Sequence, residues 1–321
     1  MDVVGKRAWF FLISALIILP GVISLIIPPA LKPGIDFSSG SILDVTFTEP
    51  ISEETVRDEL TRMEHPEALI QKTGERSVFI RTDILDKTIE LSDGTQITEQ
   101  AFLQQELAAN VGDIESRSFD TVSPIVARDV VRNVIIVMLL VPIGILLYVT
   151  WAFRRVPNPF RYGVAAIVAL VHDMLIIVGI FSILGKAIDI EVNAMFIVGL
   201  LLVLGYSVND TIVVFDRIRE NVARNIDRPL PGVVNTSILE SMGRSLNTSF
   251  TTLFVLVALL LFGGPTIQGL LLVLIIGVAS GTYSSLCIAS QFLVMWELGE
   301  IGRFFRRVVP FLGQPKPATG N

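Results

Sequence analysis

Six long apolar runs are the feature that most constrains how this chain folds. They cover roughly residues 8–29, 133–153, 162–184, 192–215, 248–262 and 266–296. A helix of about 20 apolar residues crosses the hydrocarbon core of a bilayer, so these runs predict six transmembrane helices. The composition agrees, because a hydrophobic fraction of 51% with 17% charged residues is too apolar for a soluble protein of 321 residues.

Three of the runs leave local alternatives open. The first could be a cleaved signal peptide, but its length and the absence of a small-residue cleavage site favour a helix that stays in the membrane. The fifth is short for a span unless its polar start, Ser245–Thr252, is partly embedded. The sixth exceeds one span, so it either tilts or continues as an interfacial helix.

The segment between the first two runs has a different character. Residues 30–132 contain 20 Asp and Glu against 10 Lys and Arg, and no run long enough to span. Alternating apolar residues predict strands at 41–47, 68–71, 77–81 and 114–121, and cap signals predict helices at 53–63 and 99–111. This βαββαβ order predicts a ferredoxin-like α+β domain. Its acidic balance argues against nucleic acid or anionic lipid as a partner.

Positive charges are expected almost entirely on one side of the membrane. Fourteen Lys and Arg lie in the termini and in the second-to-third and fourth-to-fifth loops, whereas the short loops of the other side hold only Lys186. The positive-inside rule therefore places both termini in the cytoplasm and the acidic domain outside it. The predicted organisation is residues 1–30 (N-terminus and first helix), 31–131 (outer domain), 132–298 (helices two to six) and 299–321 (cytoplasmic tail).

Asp210 interrupts the fourth apolar run, beside the polar residue Asn209. A charged carboxylate at the bilayer centre costs about 2.5–3.5 kcal/mol even on a lenient scale, so it indicates function. Tyr206 and Ser207 lie on the same helix face and are candidate hydrogen-bond donors to it. The alternative is a carboxylate that snorkels to the interface or pins two helices together.

Arg244 precedes the fifth run and is long enough to reach Asp210. An Asp210–Arg244 pair could be a static contact or a switch that opens when Asp210 takes up a proton, and an unpaired interfacial arginine is the third alternative. His172 and Asp173 lie near the midpoint of the third run, where we expect an uncharged resting pair able to pass on a proton. A polar contact between helices is the alternative for this pair.

Small residues indicate where helices approach closely. Gly277 and Gly281 form one small face, for which internal packing and docking onto a partner both remain open, and Gly199 and Gly205 are expected to pack internally. The sequence contains no phosphate-binding loop or nucleophile elbow, so we predict that the protein is not an enzyme. With two His and one Cys in the chain, a zinc or haem site is not expected either.

The segment Gly205–Asn221, GYSVNDTIVVFDRIREN, resembles the signature of the SecF family of protein-export membrane proteins. A second motif, GIDFSSG, resembles that family's opening of the outer domain through Gly34, Asp36, Phe37 and Gly40. Residues 171–173, 247–249 and 261–264 fit as well, and the match covers nearly the whole chain. Ser39 departs from the pattern, because the family usually has glycine there.

The resemblance implies a member of the resistance–nodulation–division superfamily in the bacterial inner membrane, which couples transported H⁺ or Na⁺ to outer-domain movement in preprotein export. Asp210 matches the family's membrane carboxylate, and Arg244 matches an arginine of the same proton path. His172 and Asp173 match a polar pair of the third span, and we assign these two residues and Asn209 to the same relay. The implied partners are a SecD-like subunit that completes a twelve-helix unit, the Sec channel, a YajC-like accessory protein and an unfolded preprotein. A half-transporter for a small hydrophobic molecule or lipid and a purely structural assembly subunit are the alternatives.

Overall fold

The computed structural model describes residues 2–90, 96–224, 227–264, 267–300 and 302–303. The chain divides into two compact units, one formed by Met1–Lys32 with Val137–Asn321 and the other by Pro33–Ile136. The first unit is helical, and the second combines helices with a sheet. Most of the predicted C-terminal tail, residues 304–321, and the Asp93-Gly94 pair, a dipeptide typical of a turn, lie outside the described residues.

Helices occur in both units of the chain. In chain order they are α1 (Arg7–Ile26), α2 (Ile35–Ser38), α3 (Glu53–Arg62), α4 (Glu99–Asn110), α5 (Pro124–Ala152), α6 (Pro159–Ala187), α7 (Ala194–Arg224), α8 (Leu230–Phe262), α9 (Gln268–Ser284) and α10 (Ser290–Glu297). A π-helical segment, Ser285–Ala289, joins α9 to α10 without a break.

Six spans in the described residues are long and apolar enough to cross a membrane, namely α1, α5, α6, α7, α8 and the continuous segment Gln268–Glu297. The six predicted spans are therefore confirmed in number and place. The fifth is not short, because α8 begins at Leu230 and includes the whole polar stretch Ser245–Thr252. Its serines do not break the helix, since the hydroxyls of Ser237 and Ser241 donate to carbonyl oxygens one turn earlier.

Close contacts fix the direction and register of the central helices. Added Cβ atoms on Gly199 and Gly277 would lie 2.8 Å from Val273 and 2.2 Å from Val203 respectively, so α7 and α9 run parallel. α1 and α6 are also parallel, since Ser14 contacts His172 and Ser24 contacts Ser182. Between these contacts a Cβ on Gly21 would lie 2.6 Å from the Cα of Gly179. Only glycine permits this approach.

The two ends of the helical unit differ in charge. One, the arginine end, carries ion pairs from Arg161 to Glu297 and from Arg217 to Glu240. At the other, the Lys186 end, the ammonium group of Lys186 donates to the Ile27 carbonyl oxygen at 2.7 Å.

The second unit contains a four-stranded antiparallel sheet. The strands are β1 (Gly40–Phe47), β2 (Leu69–Lys72), β3 (Ser77–Thr82), β4 (Thr88–Glu90), β5 (Gln96–Thr98) and β6 (Ile114–Val122), and the sheet order is β2-β3-β1-β6. In its register, Leu43 of β1 faces Ile80 of β3 and Phe119 of β6. Leu43 and Ile80 are buried in one core with Leu60 of α3 and Leu103 of α4, so both helices cover the same face.

The four predicted strands and two predicted helices of this unit are confirmed to within one residue at each end. Ser52 and Thr98 accept hydrogen bonds from Glu54 and Ala101 backbone N–H groups, as capping residues do. The short helix α2 and the antiparallel pair β4–β5 were not predicted. Their segments, of four and three residues, are too short to show a period in the sequence.

The predicted opening motif forms a tight connection into β1. Gly34 caps α2, and the Phe37 N–H donates to the Gly34 carbonyl oxygen at 3.1 Å. Ser39 has φ 65° and ψ 169°, a conformation that favours glycine. At Gly40, φ is 129° and a Cβ would lie 2.8 Å from the Thr82 carbonyl oxygen, so a side chain does not fit there. Asp36 is half-buried in α2.

Candidate functional site

Asp173 on α6 is a fully buried carboxyl group in the middle of the helical unit, at 0% exposure. Ser207 of α7 and Ser284 of α9 donate to its Oδ2 at 2.6 and 2.8 Å. Ser280 donates to Oδ1 at 2.6 Å, and Nδ1 of His172 lies 3.0 Å from the same oxygen. Four groups from three helices therefore converge on one carboxyl group.

His172 extends this cluster to α1. Its Nε2 lies 3.0 Å from the hydroxyl of Ser14, which donates to the hydroxyl of Tyr283 at 3.2 Å. Tyr283 in turn donates to the backbone carbonyl oxygen of Phe10 at 2.7 Å. A continuous hydrogen-bonded chain thus runs from Asp173 through His172 to α1.

Asp210 lies on α7, one turn after Ser207, and is half-buried. Its carboxyl group has its own set of hydroxyl donors. Ser245 of α8 donates to its Oδ1 at 2.6 Å, and Ser285 donates to its Oδ2. The predicted donors of Asp210 were wrong. Ser207 is used by Asp173 instead, and the hydroxyl of Tyr206 contacts Ser249 at 3.4 Å.

The Asp210–Arg244 pair is not formed in this structure. Arg244 is exposed and makes no ion pair within the described part of the chain. Its neighbour Ser245 is buried and occupies the position facing Asp210. Successive helical residues point about 100° apart, so only one of the two can face the carboxyl group. Asn209 is likewise exposed.

Both carboxyl groups accept hydrogen bonds from serines of the continuous α9–π segment, and α7 contributes Ser207 to one site and Asp210 itself to the other. Ser207 and Asp210 are three residues apart on α7, and Ser284 and Ser285 are adjacent at the start of the π-helical segment. Ser284 contacts Asp173, whereas Ser285 contacts Asp210. Single π-helical turns inside α-helices are frequent at functional sites.

The predicted close-packing glycines fall into two groups. Gly199, Gly277 and Gly281 lie in the α7–α9 contact, where a Cβ on Gly281 would lie 3.0 Å from the Cβ of Ser207. Internal packing therefore accounts for these three. Gly205 does not pack internally as expected, since no atom lies within 4 Å of the position of its Cβ.

Most of the hydroxyl residues of the site were not predicted as such. They are Ser14, Ser245, Ser280, Ser284, Ser285 and Tyr283. One signal was present in the sequence, because Ser237, Ser241, Ser245 and Ser249 recur every fourth residue of α8 and all four are buried. Such a period marks one polar face of a helix.

Ion pairs connect α7 and α8 at the arginine end of the helical unit. Arg217 of α7 donates to Glu240 of α8 at 2.7 Å and also pairs with Glu220. Asn221 donates to the same Glu240 carboxylate at 2.7 Å and to the Ser237 hydroxyl at 3.0 Å. Within the described residues, no group of three His, Cys, Asp or Glu side chains could hold a metal ion.

Comparisons with known proteins match this arrangement to one family. The family model described as protein export membrane protein SecD/SecF, C-terminal, matches residues 103–299. The chain is 43% identical over 314 residues to the protein translocase subunit SecF of Thermobaculum terrenum, covering 97% of this chain and 98% of that protein. The chain belongs to the SecD/SecF family. The SecF of Anaerolinea thermophila is 36% identical, with 96% of this chain covered and 97% of the relative.

Solved structures agree with this family assignment. The crystal structure of SecDF, a translocon-associated membrane protein from Thermus thermophilus, matches with a TM-score of 0.76 at 30% identity and covers 93% of this chain. This chain spans 39% of that SecDF structure and 38% of the 31% identical SecDF of Bacillus subtilis. The protein is therefore a multi-pass membrane protein of the SecD/SecF family.

Proposed function

We propose that this SecD/SecF family protein is a subunit of the Sec protein translocase that couples proton movement through its helices to movement of the domain formed by Pro33–Ile136. Such movement would promote translocation of a preprotein. One observation carries the proposal: two carboxyl groups, Asp173 on α6 and Asp210 on α7, lie inside predicted spans and accept hydrogen bonds from hydroxyls of adjacent helices.

Proton binding at Asp173 would change the contacts between helices. A carboxylate only accepts hydrogen bonds, whereas the protonated acid also donates one. With Ser207, Ser280, Ser284 and His172 already around the two oxygens, a new proton requires one of these groups to turn or withdraw. Each of the three serines lies on α7 or α9, so the contact of α6 with one of these helices weakens.

Asp210 has fewer partners and is the proposed point of proton loading. Protonation of either oxygen would displace Ser245 of α8 or Ser285 of the π-helical segment. Arg244 directly precedes Ser245 and points about 100° away from it, so a rotation of α8 towards Asp210, combined with the reach of the long arginine side chain, would exchange the serine hydroxyl for the guanidinium group. In this scheme Arg244 and Asn209 join the relay in a second state, which accounts for their exposure in the first.

The membrane potential supplies enough free energy for such a change. A charge that crosses 100 mV releases about 2.3 kcal/mol. By the Boltzmann relation this shifts a two-state equilibrium roughly fifty-fold. Small contact changes between packed helices are sufficient, because packed interfaces switch between discrete arrangements rather than deforming continuously.

A path from the relay to the domain runs along the α1–α6 pair. Ser24 and Ser182 share a hydrogen bond of 2.8 Å, and Ser182 also donates to the Ala30 carbonyl oxygen. The N–H of Val192 donates to the Lys32 carbonyl oxygen at 2.7 Å. The segment that leads to Pro33 is therefore attached to α6, the helix that carries Asp173, and would follow its movement.

The proposal includes a membrane arrangement and partners. The arginine end lies in the cytoplasm of a bacterial inner membrane together with both termini, and the Pro33–Ile136 unit is a ferredoxin-like domain outside it. The strand order β2-β3-β1-β6 supports the ferredoxin-like assignment. Since the SecDF relatives hold about 2.5 times this length in one chain, the proposed partner is a SecD-like subunit, with twelve helices in the pair. The Sec channel, a YajC-like protein and an unfolded preprotein complete the assembly.

The test is export driven by a proton gradient in vesicles that contain this chain and its SecD partner. We expect Asp210→Asn and Asp173→Asn to remove the gradient-dependent part of export. Asp216→Asn is the matched control, since Asp216 lies on the same helix as Asp210 but is exposed, and its one ion pair among the described residues is with Arg219. Full gradient-dependent export by Asp210→Asn would contradict the proposal and favour a purely structural subunit. Gradient-driven movement of a lipid or small hydrophobic molecule without preprotein would favour the half-transporter.

A further inference from the structure

Gln291 on α10 is a buried polar residue that the proposed relay does not use. Its exposure is 0%, and neither Oε1 nor Nε2 forms a hydrogen bond with any residue that the structure describes. A buried amide without a partner is unfavourable, because it loses its bonds to water without replacement. We therefore expect the Gln291 amide group to bind a ligand inside the helical unit.

Gln291 lies between Asp210 and the arginine end. Ser285 donates to Asp210, and Gln291 follows it by six residues on a continuous helical segment, which is about 9 Å along the axis. Because α7 and α9 run parallel, the same distance along α7 from Asp210 reaches Asp216, next to Arg217 of the arginine end. α10 packs against α6 and α8, and α8 carries the buried Ser241 at this level.

The chemistry of the amide selects the ligand. The oxygen of Gln291 accepts hydrogen bonds and its NH₂ group donates them, so the ligand must do both. A desolvated sodium ion would satisfy the oxygen and leave the NH₂ group unpaired. A water molecule satisfies both, and buried waters typically bond to otherwise unpaired polar groups of this kind.

We propose that Gln291 holds an ordered water molecule that extends the path of hydroxyl groups from Asp210 towards the arginine end. This inference rests on the proposed function, because it names the next carrier on the proton path. The water accepts a proton on one side as it releases one on the other, so no charge remains on it. Gln291 is a positioning residue, since it fixes the water and does not itself take up the proton.

The test compares variants that remove the amide but keep the size of the side chain. Gln291→Leu and Gln291→Met are reconstituted with the SecD partner in vesicles that contain a pH-sensitive dye, and proton uptake is followed after a pH jump. We expect uptake about a hundredfold slower than in the unmodified protein, the lower end of what one positioned proton-transfer group contributes, with an unchanged or higher unfolding temperature. Ser290→Ala is the matched control, because its buried hydroxyl already donates to the Ser285 carbonyl oxygen at 3.0 Å. It should keep the original rate.

Two further outcomes separate this inference from the proposed function. If Asp210→Asn does not reduce uptake in the same assay, the proposed function fails. If it does and both Gln291 variants keep the original rate, only the Gln291 water is refuted. If a Gln291 variant misfolds, a high-resolution map of the unmodified protein in complex with SecD tests the inference instead. Density for a water molecule is expected within hydrogen-bond distance of Gln291. A partner side chain or sodium-dependent density at that place would overturn the inference.

Discussion

A proton added to a buried carboxyl group must displace or turn one of the donors that already contact its oxygens. Asp173 has four partners on three helices, so its protonation must disturb a closed set of contacts. Asp210 has two described serine donors and is half-buried, so a proton reaches it with less rearrangement. We therefore expect Asp210 to load and release protons, and Asp173 to hold the helices in register and respond more slowly.

Ser39 gives a prediction about a single residue. Its φ of 65° and ψ of 169° belong to a region that is essentially restricted to glycine, and the strain costs of order 1–3 kcal/mol. Ser39→Gly should therefore stabilise the start of β1 by about 1 kcal/mol, even after the added freedom of the unfolded chain is subtracted. Hydrogen exchange of the β1 amides measures this directly.

Ser38→Gly is the matched control for this substitution. The Ser38 hydroxyl donates to the Gly34 carbonyl oxygen at 2.9 Å and accepts from Arg81, so its removal should destabilise the same turn. Equal exchange rates in Ser39→Gly and the unmodified protein would show that Ser39 is not strained.

For helices and strands, the sequence predicts where each element lies along the chain, but it predicts poorly which residues of two elements contact each other. The spans and the strands of the acidic unit follow from apolar periodicity, which is a property of each segment alone. The donors of Asp210 do not follow from such periodicity. The serines of α8 indicate a polar side of that helix, but they do not indicate which neighbouring helix this side contacts. The register between α7 and α8 determines that Ser245, and not Arg244, contacts Asp210. That register depends on packing along the full length of both helices, which the sequence of one segment does not reveal.

The α7–α9 contact gives a prediction at this scale. A Cβ on Gly277 would lie 2.2 Å from Cγ2 of Val203, which is fully buried and cannot move aside. Gly277→Ala should therefore destabilise the helical unit by about 1–3 kcal/mol through overpacking. The single cysteine, Cys287, is partly buried, so its reactivity with a thiol dye during heating reports the unfolding temperature.

Gly205→Ala is the matched control for Gly277→Ala, because it adds a Cβ where there is no close packing. Gly205 is exposed and a Cβ there meets no atom within 4 Å, so alanine gains helix propensity without a clash. We expect an unfolding temperature equal to or above that of the unmodified protein. If both alanine variants unfold at the same lower temperature, close packing at Gly277 is not the cause.

At the scale of the whole molecule, the polar chemistry lies on the helices that other helices cover. The most apolar windows of α6 and of the Gln268–Glu297 span are 56% and 61% buried, against 6% for that of α5. The buried helices carry Asp173, Ser284 and Ser285. Lipid and bulk water are excluded there, so a hydrogen bond gained or lost when a carboxyl group takes up a proton is strong enough to move a helix.

Lys186 provides the prediction that connects the relay to the chain leading into the domain. Its ammonium group donates to the carbonyl and hydroxyl oxygens of Ser24 and to the carbonyl oxygen of Ile27, which ties the end of α1 to α6. Lys186→Met leaves these oxygens without that donor. We expect faster hydrogen exchange in residues 27–32 and a several-fold loss of gradient-dependent export, as expected for breaking charge-assisted hydrogen bonds.

Two variants make the Lys186 result specific. Lys186→Arg keeps a cation with several donors and should retain much of the coupling. Lys32→Met removes the neighbouring pair with Asp189, which is partly exposed and should contribute little, so export should stay near the original level. If Lys186→Met exports at the full gradient-dependent rate while exchange in residues 27–32 rises, the attachment of α1 to α6 exists but does not transmit the movement. The coupling would then have to pass through α5, the helix by which the chain returns from the domain.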